Sequence, residues 1–240
     1  MNISKRWSAT LLAAATAVYI AAASGDVMGQ QAPQKFPLPE PGVPQITTLE
    51  GNFVRVGYNN EAYVILGYQM AQRSIGEAWL MLETGVTLMD KVKDQTLKRD
   101  AISLDIPNGT KVPLPTMTDY RKGEADVQAL QNRAKVQRDS INYFPVTASR
   151  PCRMGFFADL DQRAVSWDEV ELTSDRACLG RLYFQIPGGI TTGQYFLNVK
   201  FAQTLVRVPF RIFTPEEEKL VSKNYKSIKK QVEEAFKKKS

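Results

Sequence analysis

A chain of 240 residues with 43% hydrophobic and 23% charged positions has ordinary globular usage and is long enough to bury a proper core. It contains no histidine, which excludes Ser-His-Asp and Cys-His machinery and removes the commonest zinc, copper and iron ligand. The formal charge of +6 is mild for this length; no cofactor is expected, and the export signal at the start of the chain speaks against a nucleic-acid partner.

The chain opens with a pattern that predicts an export signal over residues 1–29. Lys5 and Arg6 precede Leu11 to Ala23, a 13-residue run of Ala, Leu, Val, Ile and Tyr broken only by Thr16. A helix that spans a bilayer needs about 20 apolar residues, so the run is too short for one. Val27-Met28-Gly29 before Gln30 is the best cleavage site, with Ala21-Ala22-Ala23 before Ser24 as its competitor. The expected product is a bacterial protein of 211 residues, periplasmic or secreted, with no transmembrane span after cleavage. Residues 30–45 follow as a Pro-rich linker, with prolines at 33, 37, 39, 41 and 44 favouring an extended spacer.

From Ile46 short apolar segments alternate with turn residues. Phe53 to Tyr58, Ala62 to Met70, Glu77 to Thr84, Val86 to Met89, Arg99 to Leu104 and Lys111 to Leu114 read as strands. Tyr63-Val64-Ile65-Leu66 is apolar on both phases, which predicts a central strand covered on both faces. Asn59-Asn60 and Asn108-Gly109 are turn signals. Tyr120, Val127, Leu130, Ala134 and Ile141 are spaced 7, 3, 4 and 7 apart, predicting an inserted helix at about 118–140 whose first turn is weakened by Gly123. Strands resume with Tyr143-Phe144, Arg153 to Phe157, Glu169 to Leu172, Arg181 to Ile186, Gln194 to Phe201 and Leu205 to Phe213. Pro209 marks the last of these as an edge or a bulge.

The segment Ile186-Pro187-Gly188-Gly189, then Gly193-Gln194-Tyr195-Phe196-Leu197-Asn198-Val199, then Val206 to Phe210, resembles the closing strands of bacterial immunoglobulin-like or fibronectin-like sandwiches. The resemblance covers about 30 residues and implies a tyrosine corner at Tyr195. It implies a mainly β fold, an antiparallel immunoglobulin-like β-sandwich with an inserted helix and a C-terminal amphipathic helix. Splitting the chain at the helix would leave 70 and 68 residues, short of the roughly 100 that such a sandwich uses. One sandwich over residues 46–213 is therefore expected. Antibody-type domains place a Cys two residues after the corner Tyr, where this chain has Leu197.

Cys152 and Cys178 form an even pair in an exported chain, which predicts a disulfide, with free buried thiols or a reactive pair as alternatives. Between them Asp159, Asp161, Asp168, Glu169 and Glu171 make an acidic stretch. Asp159, Asp161 and Glu169 are its weak candidates for a cation site.

Residues 214–240 read as a Lys-rich terminal helix. Thr214 caps it, Pro215 is its first residue and Glu217 completes a capping box. Val221, Tyr225, Ile228, Val232 and Ala235 are spaced 4, 3, 4 and 3 apart, a narrow apolar seam. The seam and the neighbouring Lys229 and Lys230 are the candidates for partner binding, either by packing on the sandwich, by self-association or by contact with an anionic surface. The whole predicts a non-catalytic exported binding or structural module of the bacterial envelope. Its partner would be an envelope or extracellular protein or polymer. The alternatives are a carboxylate- or cation-dependent extracellular enzyme and a self-assembling surface subunit.

Overall fold

A computed structural model describes residues 45–137, 139–158 and 165–237. The export signal over 1–29, nearly all of the Pro-rich linker, Asp159, Asp161 and the last three residues of the Lys-rich tail lie outside the described residues.

The fold is mainly β. A six-stranded sheet is built from β1 (Ile46–Gly51), β2 (Val54–Tyr58), β3 (Ala62–Gly67), β4 (Trp79–Leu88), β10 (Arg176–Gln185) and β8 (Arg150–Arg153), in that spatial order. A four-stranded sheet has the order β12 (Leu205–Ile212), β11 (Gly193–Lys200), β6 (Ile102–Asp105) and β7 (Lys111–Pro113). A two-stranded ribbon pairs β5 (Gln95–Lys98) with β9 (Glu169–Leu172). Each of the two larger sheets draws strands from both ends of the sequence. Among the described residues only β8 with β10 is a parallel pair, and Cys152 lies directly opposite Cys178 in its register, joined by a disulfide. Closing a loop of 26 residues this way stabilises by about 3 to 4 kcal/mol on the chain-entropy model.

The two sheets face each other across one apolar core. Val64, Leu66, Leu82 and Phe184 from the larger sheet meet Leu197, Val199, Val206 and Val208 from the smaller one. Approach is closest at Gly57, where an added Cβ would lie 3.0 Å from Val208. Tyr195 donates its hydroxyl to Thr191 O at 2.7 Å and accepts from Thr191 N at 3.1 Å, tying the start of β11 to the loop before it.

The larger sheet is covered on its other face too. Every residue of β4 is buried. The predicted helix of 118–140 is two helices, α2 (Met117–Lys122) and α3 (Glu124–Ala134), following the short α1 (Gln69–Gln72). They break at Gly123 because that residue presses on the Trp79 indole, where a Cβ would come within 2.4 Å of the ring. Tyr120, Val127, Leu130 and Ala134 are buried, whereas Ile141 lies beyond the helix. The chain instead crosses the sheet with Ile141 and Phe144, packing on Val54, Val56 and Ile65.

This crossing explains two of the differences from the sequence reading. Tyr143-Phe144 is not a strand. Glu77 to Thr84 and Val86 to Met89 fuse into the single β4, because Gly85 is no turn but the clearance for the Phe144 ring, 2.5 Å from a built Cβ. The β8 strand lies at Arg150–Arg153, upstream of the expected Arg153 to Phe157, and β1 is an additional edge strand.

The last helix is α4 (Pro215–Lys237), 23 residues long. Among the described residues no helix is long and apolar enough to cross a membrane.

Candidate functional site

Strand β12 ends one sheet and β1 ends the other, so the outward edge of β12 carries backbone groups that no neighbouring strand pairs. Side-chain amides take them up. Gln45 accepts from Arg207 N at 2.8 Å and donates back to Arg207 O. Six residues on, Gln72 accepts from Phe213 N at 2.8 Å and donates to Phe213 O at 3.0 Å. Between them stands Pro209, which has no N–H to satisfy. The edge is thus closed by two side-chain amides and a proline.

Helix α4 lies along this edge. Glu217 N donates to Thr214 Oγ1 at 3.3 Å and Thr214 N donates to Glu217 at 3.0 Å, a reciprocal capping box. Arg211, at 2.7 Å, holds the Glu217 carboxyl below its ordinary pKa. Glu218 receives Gln72 at 3.3 Å and Arg73 at 3.5 Å. Farther along, Tyr225 donates to Leu49 O at 3.1 Å and Lys229 pairs with Glu50 at 3.1 Å. These contacts turn the seam of Val221, Tyr225, Ile228 and Val232 toward β1 and β12.

The seam does not fill the space beneath it. A groove of about 400 Å³ runs between the helix and the two strands, lined by that seam with Leu49, Pro209, Phe210 and Phe213. Arg55 also lines it. Arg55 is 8% exposed and stands opposite Leu49 in the β1–β2 register. Its Nη1 donates to Gly51 O and Val54 O at 2.9 Å and to Asn52 O at 3.3 Å. The guanidinium lies 5.1 Å from the centre of the Tyr68 ring, a cation–π contact. Burial pushes its pKa down, opposed by Tyr68, Tyr225 and Asp139, and burial raises the Tyr68 hydroxyl to about 12. An arginine stays charged under these conditions.

A second opening of about 390 Å³ lies on the outer face of β4 and β10. Glu83 and Arg181, opposite each other in register, form its floor and approach to 3.8 Å. Asp139, Arg153, Phe157 and Tyr183 complete it. Burial raises the Asp139 carboxyl to about 6, although Gln69 N donates to it at 2.8 Å and Arg55 favours its ionised form.

The acidic stretch is dispersed where it is described. Asp168 pairs with Arg99 at 3.1 Å, Glu171 with Arg176 at 3.4 Å, and Glu169 is exposed opposite Lys98. No group of three or more metal-ligating side chains occurs among the described residues. Lys229 faces Glu50, whereas Lys230 is solvent-facing, 3.8 Å from Glu234.

Arg55 is absent from the sequence-derived candidates. In Val54-Arg55-Val56-Gly57-Tyr58 the alternation marks the valines as the buried phase and Arg55 as the outward one. Both phases of β2 are covered, and the arginine takes the one that faces the other sheet. The pairing of Gly57 with Arg55 on that phase is the available signal, since a glycine there marks close approach by another backbone element.

Comparison with family models, curated proteins and solved structures finds no match to this chain.

Proposed function

We propose that the chain is an exported, non-catalytic binding module of the bacterial envelope, built on an immunoglobulin-like sandwich. The fold reading is supported by two facing sheets that draw on both halves of the sequence and by the Tyr195 hydroxyl closing on Thr191, as in a tyrosine corner. Export is supported by the disulfide, since such bonds persist in oxidising compartments. Binding without chemistry is supported by the lack of histidine and by the commitment of Asp139 to a backbone N–H.

The observation that carries the reading is the groove under α4. Its volume lies in the range of small-ligand sites, roughly 300 to 1,000 Å³, and its walls are mostly apolar with Arg55 as the buried charge and Thr47, Gln194 and Arg211 as further polar groups, the usual anatomy of a recognition pocket. Self-assembly through the seam has less support, because that face of α4 is turned to its own β1 and β12.

A photo-crosslinking side chain at Ile228, inside the groove, is compared with one at the exposed Leu220 in cells that export the protein. Adducts at Ile228 that are missing at Leu220 are expected. Equal labelling at both positions, or none at either, overturns the reading.

A further inference from the structure

We infer that the groove beneath α4 takes a long-chain fatty acid, with its carboxylate on Arg55 and its alkyl chain along Val221, Ile228 and Val232. The inference rests on the reading of this groove as a binding site and names what enters it.

The argument begins with charge. A guanidinium removed from water is stabilised only when paired with an anion or fully bonded. Arg55 has no carboxylate in ion-pair contact, and all its hydrogen bonds to described residues run from Nη1. Nε and Nη2 have no protein acceptor among the described residues and are not shut off from solvent, so they remain open to whatever fills the groove. Those two nitrogens form one side of the guanidinium fork, which matches the two oxygens of a carboxylate. Stacking on Tyr68 fixes the plane of the fork.

Asp139, the carboxylate that acts on Arg55 through space, lies beyond ion-pair contact with it and accepts from Gln69 N, and the acids on the groove's rim are committed elsewhere. Glu217 holds Arg211, Glu218 holds Arg73 and Gln72, and Glu50 holds Lys229. The same pairings engage the other cations of the rim. Among the described residues Arg55 is therefore the groove's one buried cation without an anion in contact, which favours a monoanion over a phosphate or a polyanionic polymer. Past the arginine the walls are mostly Leu49, Pro209, Phe210, Phe213 and the helix seam, with Thr47, Gln194 and the paired Arg211 as the other polar lining, so the rest of the ligand is mainly apolar. A single charged head with a hydrocarbon tail satisfies both conditions, and burying each methylene of that tail is favourable by the hydrophobic effect.

The test uses the exported full chain after delipidation, titrated with sodium dodecanoate below its micelle concentration and followed by calorimetry. Saturable binding at one site per chain is expected, and dodecanol should bind more weakly for lack of the charge. Arg55→Met should weaken dodecanoate by about tenfold or more, the loss expected for a charge-assisted bond. Arg55→Lys keeps the charge but loses the fork and should fall between. Ile228→Glu, on the half-buried helix face, provides a variant whose folding does not depend on the core. Carboxyl-labelled dodecanoate adds a direct readout, because its carbon resonance should shift on binding and revert in both Arg55 variants.

Absence of saturable binding, or equal affinity in wild type and Arg55→Met, overturns the inference. So does preference for a lysophospholipid over dodecanoate, which would assign the groove to a membrane headgroup. Crosslinks from Ile228 that recover only a protein would overturn the fatty-acid assignment while leaving the binding-module reading intact.

Discussion

The groove under α4 and the cleft on the outer face of β4 and β10 have nearly the same volume, about 400 and 390 Å³, yet they treat charge in opposite ways. In the cleft, Glu83 and Arg181 face each other across neighbouring strands, so the charge of the floor is cancelled within the protein. In the groove, Arg55 is set among hydrocarbon and backbone carbonyls with no acid in contact. The difference teaches that size alone does not identify a binding site. A cleft whose charges are paired in register has less need of a ligand than a groove whose buried cation touches no acid.

The largest expected effect is at the cleft wall. The folded-state pKa of Asp139, about 6, lies above the ordinary carboxylate value, so the folded protein holds that proton more tightly than the unfolded chain. The stabilising contribution is fully present below about pH 4 and is lost as pH rises through 6, a change of about 3 kcal/mol. Asp139→Asn keeps an oxygen for the Gln69 N–H and removes the titration. Urea unfolding at pH 4.5 and 7.5 should therefore show the variant gaining on wild type as pH rises. A pH-independent difference between the two would show that the carboxyl is not buried as described.

Charge balance is tested next by removing one member from each site. Glu83→Ala takes from Arg181 the carboxylate opposite it on a largely covered face, the side chains being 10% and 22% exposed, and should cost about 2 to 3 kcal/mol. Arg55→Met should cost less, about 1 kcal/mol, because the lost bonds to the Gly51, Asn52 and Val54 carbonyls are offset by removing a buried charge that contacts no acid. Equal losses in the two variants would make Arg55 a structural residue and remove the contrast between the sites.

What could be read in the sequence follows from how local each signal is. The end of the chain was legible because a helix is written in neighbouring residues. Thr214, Pro215 and Glu217 start α4, and the 4, 3, 4 spacing from Val221 to Val232 selects the face that meets the strands. The alternation of β11 and β12 was legible for the same reason, with Leu197, Val199, Val206 and Val208 all buried. Contacts between distant segments left misleading marks. Gly85 resembles a break until Phe144, 59 positions later, is seen above it, and Gly123 looks like a weak first turn until Trp79 is seen beneath it. Half of the groove was legible, its helix seam. Its floor was not, because Arg55 and Phe210 come together only when β2 and β12 end up on facing sheets.

The smallest effect expected concerns the two amides that close the edge of β12. Gln72 is 5% exposed and bonds both Phe213 backbone groups and Glu218, so it joins the edge to the first turns of α4. Gln72→Ala should cost about 1 to 2 kcal/mol. It should also speed tryptic cleavage at Lys219 and Lys223, because the helix loses its attachment where it leaves the strand. Gln45 makes the matching pair of bonds at Arg207 but has no hydrogen bond to α4 among the described residues, and it is only partly buried. Gln45→Ala should cost less than about 1 kcal/mol and leave cleavage within α4 unchanged. If the two variants released the helix equally, α4 would depend on the whole β12 edge rather than on the Phe213 corner. The groove would then open and close with the strand rather than with the helix.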